Sequence, residues 1–269
     1  MRLLTDTHCH LNLKSFEGDL PVVLGRARQA GVERILVPGI DLATSRAALA
    51  LAEQHDLIYV AVGVHPHDAS TCDSEVLAAL RELAHHPKVV AIGEIGLDYY
   101  RDRSPRPLQR QIFQQQLELA AEVGLPVVLH NRDALNDLWP AITGWQASLQ
   151  AAASPLADRP GVLHSFDGDL DTARRAAELG FFIGISGPVT FKNAPERHAV
   201  AAGLPLERLL LETDAPYLTP HPYRGRRNEP AYVALVADKL AALHRLPLEN
   251  VCETTWNNAE QLFHWGASL

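Results

Sequence analysis

Short apolar runs rich in β-branched residues recur along the chain, separated by longer amphipathic stretches rich in alanine and leucine. Eight runs read as strands: residues 2–7, 34–39, 57–64, 89–95, 126–129, 161–163, 181–186 and 209–213. Between them, helical periodicity predicts helices over residues 18–30, 42–55, 74–85, 107–123, 170–179 and 230–243. Strands that alternate with helices build a parallel sheet, and eight such units predict an α/β fold, the TIM-type (β/α)8 barrel. Gly31, Gly124 and Gly180 each follow the last periodic residue of a helix, as expected where the backbone turns left-handed. Residues 144–159 read as a helix running into an exposed loop. The segment after Glu249 reads as a closing helix whose Trp256, Leu262, Phe263 and Trp265 face the core.

Composition narrows the class. With 269 residues, 47% hydrophobic and 21% charged, the chain is expected to form a single domain over residues 1–269. A formal charge of −8 argues against holding nucleic acid through a general basic surface, but not against meeting phosphate through a bound metal. Cys9, Cys72 and Cys252 are odd in number and widely spaced, so neither a disulfide framework nor a zinc ribbon is expected. No signal-peptide pattern and no uninterrupted apolar stretch of membrane-spanning length is present, so a cytoplasmic chain is expected. Nothing points to an obligate protein partner.

The chemistry lies in what stands at the carboxyl ends of the runs, where barrel enzymes carry their catalytic groups. The first run ends in His8-Cys9-His10. Residues two apart on a strand share a face, so both imidazoles can converge on one ion while Cys9 points the other way. The third run ends in His65, the fourth in Glu94, the fifth in His130, the sixth in His164, and the eighth in Glu212 and Asp214. Histidine accounts for only 13 of the 269 residues, so its recurrence at strand ends calls for an explanation. Imidazoles with carboxylates and no thiolate favour zinc, manganese or iron, whereas magnesium alone takes mostly oxygen. His8, His10, Glu94, His130, His164 and Asp214 exceed what one ion needs. Two divalent ions sharing a carboxylate fit the count, with Glu94 as the bridge, because Lys14, Lys88, Lys192 and Lys239 all lie away from suitable strand ends. Asp214 can both bind an ion and take a proton from the attacking water. Glu212 either positions substrate from behind Asp214 or is an interior carboxylate paired with an arginine.

Taken together, Thr5-Asp6-Thr7-His8-Cys9-His10-Leu11, Val62-Gly63-Val64-His65-Pro66, Gly93-Glu94-Ile95-Gly96-Leu97-Asp98-Tyr99, His130-Asn131-Arg132-Asp133-Ala134, His164-Ser165-Phe166 and Leu211-Glu212-Thr213-Asp214-Ala215-Pro216-Tyr217-Leu218 resemble the TatD-like metal-dependent deoxyribonucleases. Arg224-Gly225-Arg226-Arg227-Asn228-Glu229-Pro230 is similar to that family's segment after the eighth strand. The resemblance implies one metal on His8, His10, Glu94 and Asp214, a second on Glu94, His130 and His164, and His65 near the substrate phosphate. It also implies cleavage of DNA phosphodiesters from a 3′ end, with DNA (single-stranded or 3′ ends) as substrate and two divalent ions (Mg, Mn or Zn) as cofactors. Two positions depart from the family pattern. Asn12 stands where aspartate is common, and His164 is followed by Ser165-Phe166-Asp167-Gly168 where Cys-Phe-Ser-Gly is usual.

An acidic nuclease needs local positive charge. Arg101, Arg103 and Arg106 follow the fourth run, Arg132 the fifth, and Arg224, Arg226 and Arg227 the eighth. The guanidinium fork suits phosphate, and Tyr99, Tyr100 and Tyr217 could stack on bases. His67 and His221 occupy rim positions. Two further readings share these residues. One is an amidohydrolase-type barrel that cuts a C–N, carboxylic ester or phosphotriester bond; the other is a metal-stabilised binding protein, which the retained Asp214 disfavours.

Overall fold

The computed structural model describes residues 3–265, so Arg2, at the start of the first expected strand, lies outside the described residues. The elements alternate as expected: β1 (Leu4–Asp6), α1 (Leu20–Gln29), β2 (Val32–Pro38), α2 (Leu42–Gln54), β3 (Ile58–Val62), α3 (Ser74–Ala84), β4 (Val89–Asp98), α4 (Arg106–Val123), β5 (Val127–Arg132), α5 (Leu135–Ala151), β6 (Gly161–Leu163), α6 (Leu170–Glu178), β7 (Phe182–Ile185), α7 (Pro195–Gly203), β8 (Leu209–Leu211), α8 (Val233–His244) and α9 (Leu248–Phe263). The strands neighbour one another in chain order, β1 through β8, which with the alternating helices is the TIM-type (β/α)8 barrel class. Two differences from the sequence expectation matter. β4 runs on past Ile95 to Asp98 because its ladder with β5 continues through Gly96↔His130, Leu97↔Asn131 and Asp98↔Arg132. The short, weakly periodic α7 has no counterpart among the expected helices.

Contacts divide the chain into two compact units, one comprising the chain up to Val37 with Ser165–Glu178 and Phe182 onward, the other Pro38–His164 with Leu179–Phe181. In the first unit β1 pairs with β2 (Leu4↔Val32, Asp6↔Ile35) and β7 with β8 (Ile183↔Leu209, Ile185↔Leu211). Val233, Val236, Ala237, Leu240 and Ala241 recur at helical spacing on α8 and are buried, the stripe with which this helix packs on β1 and β8. Leu262, Phe263 and Trp265 are buried as expected, whereas Trp256 is half-buried beneath the Arg34 guanidinium, 4.6 Å from its ring centroid.

In the second unit every residue of β4 is buried, as a strand covered on both faces requires. The buried face of α4 combines Ile112, Phe113, Leu117 and Ala120 with two glutamines, Gln109 and Gln116. The large apolar members contribute on the order of 1.5–3 kcal/mol each by leaving water. The glutamines do something else. Gln116 accepts a hydrogen bond from the Val64 N–H (2.7 Å) and donates one to the Val64 carbonyl (3.0 Å), completing the backbone just before His65. Gln109 does the same for Asp98, accepting from its N–H (2.9 Å) and donating to its carbonyl (3.1 Å). Beside them, Gly96 adopts φ +141°, and a side chain there would collide with the His130 backbone.

Replacing Gln116 by leucine keeps the volume but strands two buried backbone groups. We expect a loss of about 2–4 kcal/mol in urea unfolding; a loss below 1 kcal/mol would show that the amide is dispensable.

Candidate metal centre

Within the first unit, His8, His10 and Asp214 lie together. Beyond β1 the chain bends at Thr7 and pairs again at Cys9, whose N–H donates to the Leu36 carbonyl (3.0 Å), while the His10 N–H donates to that of Ala215 (2.8 Å). Around this bridge the side chains alternate through His8-Cys9-His10. Cys9 is fully buried, and His8 and His10 share a face with their Nε2 atoms 3.2 Å apart. Asp214 has φ +57°, a left-handed conformation that aspartate tolerates, and its N–H donates to the His8 carbonyl (2.8 Å). That turn brings Asp214 Oδ1 to 3.4 Å from His10 Nε2 and 3.8 Å from His8 Nε2. Donors around a four-coordinate ion at ordinary ligand distances are separated by about 3.4 Å. Two imidazoles and a carboxylate oxygen at these spacings fit a divalent cation.

Asp6 holds this set together. It lies two residues before His8 and is fully buried. Its Oδ1 accepts from the Thr213 N–H (2.8 Å) and the His8 N–H (3.4 Å), and its Oδ2 from the Thr213 hydroxyl (2.6 Å). Burial pushes its pKa up to about 8, against the opposing pull of the Thr213 bonds. From sequence the site starts at His8; Asp6, the last residue of β1, is missed because its partner Thr213 is distant in the chain. Glu212 is also fully buried. It accepts from the Ser165 N–H, and only a glycine at position 184 leaves room for its carboxylate.

Within the second unit, Glu94, His130 and His164 lie together. Glu94 Oε1 lies 2.9 Å from His130 Nδ1 and 3.8 Å from His164 Nε2. His65 Nε2 lies 3.6 Å from the same oxygen, closer than His164. Its ring is neutral, since burial holds its pKa well below the usual value despite nearby Glu94. His65 Nδ1 accepts from the His67 N–H (3.1 Å), so the ring proton sits on Nε2. His65 thus turns an Nε2–H toward the carboxylate that His130 and His164 also approach, and with Glu94 and His130 it forms a cluster whose spacing could hold an ion. His130 is pinned from behind: its Nε2 lies 3.3 Å from Asp98 Oδ2, which also meets His67 Nε2 at 2.8 Å. Burial opposes a charged His130, but Asp98 and Glu94 outweigh it and raise its pKa to about 9. A carboxylate behind one ring nitrogen orients the other, which makes Nδ1 the candidate ligand atom. Asp98, and the part His67 plays beside it, are not evident from the sequence, where the apolar run ends at Ile95.

The expected substrate contacts differ in exposure. Tyr99 is half-buried, its hydroxyl donating to Asp137 (2.6 Å) and its ring covered by Arg106 at 4.5 Å. Tyr100 is 58% exposed, with the Arg132 guanidinium 4.0 Å from its ring centroid, and so presents the freer aromatic surface. Tyr217 is 55% exposed and lies edge-on to His10 at 6.1 Å. Arg227 is forked onto Asp19 at 2.8 and 2.6 Å and Arg106 pairs with Asp102, while Arg224 lies over the Phe191 ring at 4.1 Å.

Imidazole and carboxylate donors at the carboxyl ends of barrel strands define the chain as a barrel hydrolase of the metal-dependent class. It belongs to the TatD-related DNase family, whose sequence profile matches residues 5–264. The chain is 44% identical to the uncharacterized metal-dependent hydrolase YabD of Bacillus subtilis, over 97% of this chain and 99% of that protein. It is 38% identical to the 3′-5′ ssDNA/RNA exonuclease TatD of Edwardsiella piscicida, over 97% and 99% of the two chains. Among solved structures, YjjV, a TatD homologue from Escherichia coli, superposes with a TM-score of 0.87 at 37% identity, covering 97% of this chain and 98% of its own.

Asp6→Asn places an amide N–H where a carboxylate oxygen now accepts. We expect a stability loss of about 1–3 kcal/mol and zinc or manganese affinity weaker by roughly 10–100-fold in titration calorimetry. Unchanged affinity would remove Asp6 from any role in setting the first donor set.

Proposed function

We propose that residues 1–269 act as one hydrolase domain that cleaves phosphodiester bonds of DNA, from the 3′ ends of single strands, with one divalent ion on each donor set. The observation that supports this most strongly is the pairing of His8 and His10 with Asp214 Oδ1 at 3.4–3.8 Å, in a chain 38% identical along its length to a 3′-5′ exonuclease. Divalent ions there supply acidification of water and charge neutralisation at phosphorus, whether magnesium, manganese or zinc. The protein's own groups divide the remaining work. Asp214, 13% exposed at its side chain, takes the proton from the attacking water. His65, neutral with its proton on Nε2, donates to a phosphate oxygen. Asp98 keeps His130 aligned, and Glu212 braces the chain at Ser165 from within the fold.

The test is a substrate panel on EDTA-stripped protein resupplied with magnesium, manganese or zinc. Single-stranded DNA, duplex DNA, RNA, a carboxylic ester, an amide and a phosphotriester are compared. Metal-restored loss of nucleotides from 3′ ends is expected, and Asp214→Asn should lower kcat by about 10²–10⁴-fold in protein that still binds metal. Ester or amide turnover with DNA untouched would establish the amidohydrolase reading instead.

A further inference from the structure

The loop after β7 and the loop after β8 enclose a cavity of about 490 Å³ lined by Phe191, Lys192, Asn193, His221 and Arg224. That is within the size range of sites that take small molecules or a nucleotide unit. Its chemistry is one-sided: a lysine, an arginine and an imidazole, one amide, one aromatic ring and no carboxylate. Many arginines of this chain are neutralised, Arg26 by Glu229, Arg110 by Asp137 and Arg227 by Asp19. Among the described residues neither Lys192 nor Arg224 joins an ion pair. An acidic protein that keeps two unneutralised cations at one concave place presents a site for an anion.

The cavity is also preformed. A side chain at Gly187 would collide with the Leu218 carbonyl, so the two loops lie against each other. The His221 N–H donates to the Thr190 hydroxyl (2.8 Å), which donates to the Gly187 carbonyl (2.7 Å). Arg224 is held over Phe191, which fixes its fork while leaving the N–H edges available to phosphate. The same β8 loop begins at the candidate ligand Asp214 and passes the exposed Tyr217 beside His10 before reaching His221 and Arg224. A single strand following that loop meets a metal donor, an aromatic face and a cationic hollow in order.

Building on the nuclease reading above, we propose that this cavity is a second nucleotide subsite for single-stranded nucleic acid. Arg224 and Lys192 bind a backbone phosphate beyond the scissile one, and Asn193 faces the adjoining base edge.

The experiment uses the full metal-loaded chain and compares wild type with Lys192→Ala, Arg224→Ala and the double variant. Arg174→Ala, which removes an exposed α6 arginine, is the charge control, and thermal melts establish folding. Steady-state kinetics are run on a dinucleotide and a twelve-nucleotide DNA, and binding of a phosphorothioate twelve-mer is followed by anisotropy against salt. In the double variant the KM penalty should grow with length, reaching about tenfold on the twelve-mer, and the salt slope should fall by roughly 0.7 for each phosphate no longer neutralised. Equal penalties on both lengths, or a salt slope identical to that of wild type and Arg174→Ala, would overturn the subsite while leaving the nuclease reading intact. Wild-type protein that neither binds nor cuts single-stranded DNA would overturn both. A phosphate-binding signal from inorganic phosphate that no oligonucleotide displaces would assign the cavity to a free anion and also overturn the subsite.

Discussion

Where a parallel ladder stops, its last N–H and C=O groups remain buried, and a buried backbone group without a partner costs about as much as a lost hydrogen bond. Much of the candidate centre is built by answering that constraint with side chains. Asp6 takes the N–H of Thr213, Gln116 both groups of Val64, Gln109 both groups of Asp98, and Glu212 the N–H of Ser165. Asn228 donates to the carbonyls of Thr213 and Tyr217 at 2.9 and 2.6 Å. Asp6, Gln116 and Glu212 thus hold the backbone next to Asp214, His65 and His164, and Gln109 holds that of Asp98 itself. The polar groups in the core are therefore positioning devices for the donors as much as components of stability.

The same economy explains the division of roles among similar residues. His130 and His65 both approach Glu94, yet Asp98 stands behind one ring, and a backbone N–H bonds to Nδ1 of the other. A carboxylate partner makes an imidazole a better ligand, whereas a donor at Nδ1 moves the proton to Nε2 and makes the ring a donor itself. Charge is handled in a similar way. The chain is acidic overall, and several arginines near the carboxyl ends serve as fasteners, as Arg227 does on Asp19. Others, among them Arg132 on Tyr100 and Arg224 on Phe191, rest on aromatic rings that orient them without cancelling their charge.

By itself the sequence determined the order and kind of the elements, α7 excepted, because strand and helix periods differ and each must bury one face or both. The candidate donors were legible for a related reason: His8 and His10 are two residues apart, and in the fold their Nε2 atoms lie 3.2 Å from each other. The boundaries that depend on a partner strand were not legible. β4 extends to Asp98 only because β5 continues beside it, and that pairing brought Asp98 and His67 behind His130. Equally hidden were the clamp from Asp6 to Thr213, 207 residues apart in the chain, and the choice between Tyr99, committed to Asp137, and exposed Tyr100. Periodicity reports how a residue faces its own element, whereas a hydrogen bond across elements, and the ring nitrogen it leaves available, are decided only when the chain has folded.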